Sequence, residues 1–257
     1  MPYVSLPNGF RQDILQARRL IGCWSSLAHP ITTEILGVAG FDWLLLDCEH
    51  APNELQTLLP QLLALKDSES APVVRPPSND PVFMKRLLDL GFVNFLVPMI
   101  ESADQAQLAV AATRYPPEGI RGVSAMQRCN RYGAQVDYAR SINAHVCVLL
   151  QIESRAGIEA LDAILQVPGV DGIFVGPADL SAALGHFGQP NHPEVQAAIT
   201  DIHARSRAAG KAVGILTTVE ADAQRYIDQG FQFVAVGTDQ ALFRAATQGL
   251  RDRFPSA

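Results

Sequence analysis

The chain predicts an α/β fold, a (β/α)8 TIM barrel, on three observations. Short β-branched or leucine-rich runs alternate with segments of helical periodicity from end to end, the pattern of β–α units repeated on a parallel sheet. Eight such runs occur, which is the strand count of the barrel. No linker, low-complexity tract or composition shift divides the 257 residues, a length that one barrel fills. The expectation is one barrel domain over 1–257. A doubly wound open sheet uses the same units and stays open as the rival.

The runs, in order, are IGCWS (21–25), WLLLD (43–47), PVVR (72–75), NFLVPM (94–99), VCVLLQIE (146–153), GIFVG (172–176), AVGIL (212–216) and FVAVG (233–237). WLLLD is apolar at four successive positions, as a strand covered on both faces should be. Helical patterns fill the intervals: NELQTLLPQLLALK, DPVFMKRLLDLG, SADQAQLAVAATRY, RAGIEALDAILQV, HPEVQAAITDIHARSRAAG and VEADAQRYIDQG. Gly40, Gly91, Gly210 and Gly230 stand where helices close. The polar, Arg-rich segment from about Arg114 to Tyr138 fits neither state and reads as a functional loop or lid.

Composition narrows the function classes. Hydrophobic residues make up 48% and charged residues 18%, enough to bury a sizeable core. A net charge of −6 carries no basic stripe for nucleic acid. Cys23, Cys48, Cys129 and Cys147 form no CxxC pair, which suits a reducing cytoplasm and speaks against a cysteine zinc site or a disulfide framework. The N-terminal MPYVSLPNGFRQDI lacks the basic and apolar regions of a signal peptide. No stretch approaches the ~20 apolar residues of a membrane span.

In a barrel, catalytic groups come from the C-terminal ends of several strands. Read in order, those ends offer Trp24; Asp47, Glu49 and His50; Arg75; Gln151 and Glu153; and Asp179 in GPADL. A buried charge needs a partner, so charges of both signs at one mouth belong together. Glu153 and Asp179 are oxygen donors with no histidine beside them, the pattern of Mg²⁺ or Mn²⁺. Arg75 can stabilise a growing enolate oxygen. His50 can serve as general base with Asp47 holding its tautomer. Taken singly, each has a plainer reading: Glu153 and Asp179 as first-turn acids favoured by a helix dipole, His50 as a hydrogen-bonded structural residue, Arg75 as a surface strand end. His145, His192 and His203 are read as non-catalytic.

LLLDCEHAPN, PVVRPP, FLVPMIESADQA, RYPPEGIRGV, VLLQIESRAG and GIFVGPADLSAALG together resemble the metal-dependent class II pyruvate aldolases of the HpcH/HpaI type. More narrowly, they resemble the 4-hydroxy-2-oxoheptane-1,7-dioate (hydroxyketoacid) aldolases of aromatic degradation. The resemblance runs from about Gly22 to about Phe243. It implies a phosphoenolpyruvate mutase-like barrel whose last helix packs on a neighbouring subunit in a hexamer, a trimer of dimers. It implies reversible cleavage of 4-hydroxy-2-oxoheptanedioate to pyruvate and succinic semialdehyde, with hydroxypyruvate in the place of pyruvate, or other aldehydes, as further substrates. By the same resemblance Glu153 and Asp179 hold Mg²⁺, Mn²⁺ or Co²⁺, Arg75 stabilises the enolate, and His50 is the base with Asp47 its partner. Gln151 lies near the metal, and Asp89 acts across a subunit interface. Gly176, Pro177 and Ala178 meet the pyruvate carboxylate, while Trp24 and Leu216 line the aldehyde side. Cys48 departs from the family's glycine and adds bulk beside the base.

A Schiff-base route needs a desolvated lysine. Lys66, Lys85 and Lys211 are the only lysines, and none follows a strand. The alternative within the superfamily is an oxaloacetate decarboxylase or a coenzyme A-thioester lyase.

Overall fold

The computed structural model describes residues 7–254, so the first six positions of the N-terminal stretch lie outside the described residues. Leu20–Ser25 (β1) pairs in parallel with Trp43–Asp47 (β2), and pairing continues in chain order. Ala71–Arg75 (β3), Asn94–Val97 (β4), Cys147–Ile152 (β5), Gly172–Val175 (β6) and Ala212–Leu216 (β7) follow. Phe233–Thr238 (β8) returns to β1, closing the barrel. Closure removes the open-sheet rival. The helices are Gly9–Leu15 (α1), Pro30–Val38 (α2), Leu55–Ala64 (α3), Pro81–Leu90 (α4), Ala103–Ala112 (α5), Tyr138–Ser141 (α6), Arg155–Leu165 (α7), Pro177–Ala183 (α8), Pro193–Ala208 (α9), Glu220–Asp228 (α10) and Asp239–Asp252 (α11).

Strand boundaries follow the apolar runs closely. The exception is β4, expected to reach residue 99 but ending at Val97. Pro98 has no N–H for the ladder, and Met99 takes a left-handed φ of 52°.

Alternation along the strands builds two cores. Inward residues, among them Trp24, Trp43, Leu45, Leu149, Phe174 and Phe233, fill the barrel. Their rings interlock, with Trp24 and Phe174 centroids 5.4 Å apart. Gly22 and Gly214 make room for this layer, because a Cβ at either would run into the ring of Trp43 or Phe233. Outward residues such as Leu44, Leu46, Val74 and Ile173 pack beneath the helices. The N-terminal end of the barrel is stoppered by α1, whose Phe10 and Ile14 join the inner core. Asn8 Nδ2 donates to Asn94 Oδ1 at 2.6 Å, and Arg11 pairs with Asp171 at 2.8 Å.

The polar segment 114–138 is not a lid over this chain's mouth. It lies in the connection from α5 to β5, and such helix-to-strand connections lie at the N-terminal end of a barrel. Its anchor is Arg121, fully buried, which donates to Asp89 at 2.9 Å and stacks on Tyr115 at 4.3 Å. Arg128 Nη1 donates to the carbonyl of Leu90 at the end of α4.

Within α11 only Asp239 is buried, accepting from the backbone N–H groups of Ser26 and Leu27. Leu242, Phe243, Leu250 and Phe254 are exposed. No helix among the described residues is long and apolar enough to cross a membrane.

Candidate active site

Strand β2 delivers Asp47 to the barrel mouth, and the adjacent end of β3 delivers Arg75 opposite it in register. Both are buried, and they meet in a bidentate pair: Arg75 Nε donates to Asp47 Oδ1 at 2.8 Å and Nη2 to Oδ2 at 2.7 Å. Burial alone would raise the Asp47 carboxyl, but Arg75 outweighs it and holds Asp47 below the usual carboxylate range. Arg75 Nη1 reaches Glu49 Oε2 at 2.9 Å. Beneath the guanidinium lies the buried Trp24 ring, with its centroid 5.4 Å from Arg75 Cζ. A guanidinium has five N–H donors. Two bond Asp47, while the contact of Nη1 with Glu49 is an ion pair without a hydrogen bond, which leaves both donors on Nη1 and one on Nη2 for a substrate oxygen.

His50 follows in the loop after β2, its side chain 63% exposed. The sequence reading gave it Asp47 as partner. The structure corrects this, because Asp47 is taken up by Arg75 and by backbone N–H groups of the same loop. The carboxylate nearest the imidazole is that of Glu49, with its Oε2 3.8 Å from His50 Nε2. The sequence places Glu49 on this loop without assigning it a role. The available signal was its i,i+2 spacing from Asp47 on an extended segment, which puts both acids on one face. The loop is braced by buried Asn53, whose Nδ2 donates to the Asp47 carbonyl at 2.8 Å. Cys48 turns outward into the helix-side core, so its bulk does not crowd His50.

Across the mouth stands Glu153, just past β5 and 2% exposed. Its Oε2 accepts from Gln151 Nε2 at 2.5 Å and its Oε1 from the backbone N–H of Met99 at 3.0 Å. Met99 owes that aim to its left-handed backbone, a conformation sequence reasoning could not supply. Burial pushes Glu153 up to about 7, only partly opposed by those two donors, and the charges of Asp179 and Glu49 push it the same way. Asp179, in the first turn of α8, is exposed to the mouth. Gly176 is required beside them, since a Cβ there would collide with Glu153 Oε2.

Glu49, Glu153 and Asp179 are therefore three mutually repelling carboxylates facing one cation, Arg75. Gln151 Oε1 is buried with no partner. A protein-derived, all-oxygen donor set with an unanswered negative balance fits a hard divalent cation. Glu153 and Asp179 could hold it, with Gln151 alongside.

Gly176, Pro177 and Ala178 form the turn from β6 into α8, with Ala178 exposed to the mouth. Leu216 ends β7 and packs on the inner core. Asp89 is set apart from these groups. It lies near the C-terminal end of α4 and bonds Arg121, at the barrel end opposite the mouth. Of the lysines, Lys85 lies beside Gly122 in the segment at the opposite end of the barrel, and Lys211 Nζ donates to the Val170 carbonyl.

Residues 20–246 match the HpcH/HpaI aldolase/citrate lyase family. A protein of Citrobacter koseri named 5-keto-4-deoxy-D-glucarate aldolase is 58% identical over 248 residues, covering 96% of each chain. One of the same name in Escherichia coli is also 58% identical, covering 96% of this chain and 97% of its own. Among solved structures, an HpcH/HpaI aldolase/citrate lyase family protein from Burkholderia cenocepacia superposes with a TM-score of 0.93 at 40% identity, covering 96% of this chain and all of its own. An HpcH/HpaI aldolase from Desulfitobacterium hafniense gives 0.86 at 27%, covering 96% and 97%. These relatives overturn the expected substrate. Proteins this similar are named for a hydroxylated six-carbon keto-diacid, not for 4-hydroxy-2-oxoheptanedioate, so succinic semialdehyde and aromatic degradation drop out with it.

Proposed function

From the premise that this chain belongs to the HpcH/HpaI aldolase/citrate lyase family and is a class II pyruvate-type aldolase, we propose that it cleaves 5-keto-4-deoxy-D-glucarate. The relatives' name supports the substrate, and the observation that carries the chemistry is the Arg75 guanidinium, clamped by Asp47 with three donors left over. The substrate has a methylene between its keto carbon and a carbinol. Breaking the bond between the methylene and that carbinol carbon gives pyruvate and 2-hydroxy-3-oxopropanoate, the proton leaving the carbinol hydroxyl being balanced by one returned to the methylene carbon.

In the mechanism we infer, Asp47 fixes Arg75 so that its spare N–H groups meet the keto oxygen, where charge grows in the transition state. Holding the fork rigid avoids reorganisation during the reaction, which is why a buried bidentate pair is suited to the task. His50 Nε2 takes the proton of the carbinol hydroxyl as the carbon–carbon bond breaks. Its exposure leaves the imidazole open to an entering substrate, with Glu49 Oε2 3.8 Å from Nε2. The returning proton is delivered to the methylene carbon to release pyruvate. Pro177, Ala178 and the start of α8 present backbone to the substrate's keto-acid carboxylate, with Trp24 below and Leu216 at the side. A divalent ion of the Mg²⁺, Mn²⁺ or Co²⁺ class, held by Glu153 and Asp179, would supply Lewis-acid polarisation of the 2-oxo acid.

The test is pyruvate release from 5-keto-4-deoxy-D-glucarate by the purified protein, before and after chelation. Cleavage should stop with EDTA and return with Mg²⁺, Mn²⁺ or Co²⁺. Borohydride with pyruvate should trap no adduct. No pyruvate from this substrate refutes the substrate assignment; unchanged turnover after chelation or a trapped lysine refutes the route. We further propose a homo-oligomer, a hexamer, with α11 at a subunit contact, and Asp89 acting across an interface. The four cysteines are free and buried, in keeping with a reducing cytoplasm.

A further inference from the structure

Outside the barrel mouth's own cluster, His186, His192 and Glu194 each bring one ligand atom within 4.8 Å of the other two. They come from both ends of the connection between α8 and α9. His186 follows the left-handed Gly185, and His192 is the N-cap of α9. Their rings lie face to face, with centroids 3.4 Å apart and planes 16° from parallel. His186 Nε2 and Glu194 Oε2 are 2.8 Å apart. On the far side of the carboxylate, Glu194 Oε1 is 3.9 Å from Arg155. Arg155 in turn donates to the carbonyls of Ala183 and Leu184. Arg155 is thus held against the other carboxylate oxygen, leaving Oε2 to the histidines.

We propose that His186, His192 and Glu194 form a second metal site, for one divalent transition-metal ion of the Zn²⁺, Co²⁺ or Ni²⁺ class. Two imidazoles and a carboxylate are the donors such ions select over Mg²⁺. The ion takes the place of the proton shared by His186 and Glu194. Coordination by His192 through Nε2 puts its proton on Nδ1 and gives up the long 3.3 Å cap from the Glu194 N–H, which solvent then satisfies. The two rings splay from their stack so that both lone pairs converge, a rotation open to half-exposed side chains. The bound ion staples the two ends of the connection that follows α8, the helix whose first turn carries Asp179.

Co²⁺ is the probe, because nitrogen-ligated low-coordinate Co²⁺ absorbs visible light far more strongly than the oxygen-ligated ion. Titration of the full chain, and of a Glu153→Gln/Asp179→Asn variant lacking the mouth donors, should give the same strong band, saturating at one equivalent and bleached by one equivalent of Zn²⁺. The band should vanish in His186→Gln and in His192→Asn, the latter keeping a side-chain cap for α9. Zn²⁺ should raise the Tm of the mouth variant and leave that of its His186→Gln derivative unmoved. A pale, oxygen-type spectrum in the full chain, or a strong band surviving both histidine substitutions, overturns the proposal. The mouth variant keeps this test separate from the fate of the aldolase reading.

Discussion

At the scale of single residues, Arg75 and Glu153 set the character of the mouth. Arg75→Lys keeps the charge but replaces a planar fork with a point donor, so Asp47 loses its bidentate partner. The expected loss in kcat is ~10²–10³-fold, the worth of an oriented donor at a developing oxyanion, with KM moved less. Steady-state kinetics on the glucarate-derived substrate decide it, and wild-type kcat in the lysine variant would remove Arg75 from the chemistry. Glu153 gives a prediction in pH. Its folded value of about 7 lies above the usual 4.5, so between those limits the folded chain holds a proton that the unfolded chain has released. Stability of the chelated protein should therefore fall as pH rises through that window, by at most about 3 kcal/mol. Glu49, also raised by burial, adds to the same slope. Saturating Mn²⁺ should flatten the fall, as should Glu153→Gln; a Tm in EDTA that ignores pH from 5 to 7 would contradict it.

Elements place those residues. Barrel strands end where apolar runs give way to charge, and the runs were legible because β strands covered on both faces need uninterrupted hydrophobic sequence. What a strand carries inward is less visible. Gly22 and Gly214 read as ordinary strand glycines, yet each is there because a ring from a neighbouring strand occupies its Cβ position. Gly22→Ala should cost roughly 1–3 kcal/mol by overpacking against Trp43, measurable as a lowered urea midpoint without loss of the far-ultraviolet spectrum. An unchanged midpoint would mean that the inner layer has slack. Among helices, α11 is attached at its first turn and shows Leu242, Phe243 and Leu250 to solvent, with the exposed Phe254 just beyond its end. That uncovered apolar surface is what motivates the proposed subunit contact at α11.

For the whole molecule, that exposure makes assembly the expectation. Light scattering should give about six times the 27.8 kDa chain mass, in line with the proposed hexamer. Phe243→Asp/Leu250→Asp should shift it toward smaller species while the barrel stays folded. A monomeric wild type would sink the assembly proposal without touching the site. The same scale explains the errors of the sequence reading. Segment 114–138 has the polarity of a lid, but closure of the barrel sends it to the opposite end, where Arg121 and Arg128 tie it to α4. Asp89 is hydrogen-bonded to Arg121 at that end too, apart from this chain's mouth, so the role proposed for it across an interface depends on the proposed assembly.

The sequence by itself determined the barrel, its eight strands, and the identity of most mouth groups, because strand count, apolar periodicity and the charges at strand ends are all local properties of the chain. The reaction class was legible in the same motifs, whereas the particular keto acid was not, since the motifs describe the half of the site that meets pyruvate. Tertiary structure alone decided who pairs with whom. Asp47 belongs to Arg75 rather than to His50, Glu49 stands nearest the imidazole, and a left-handed Met99 aims its N–H at Glu153. Those facts depend on which side chain reaches a shared partner first in three dimensions, and no spacing along the chain encodes that competition.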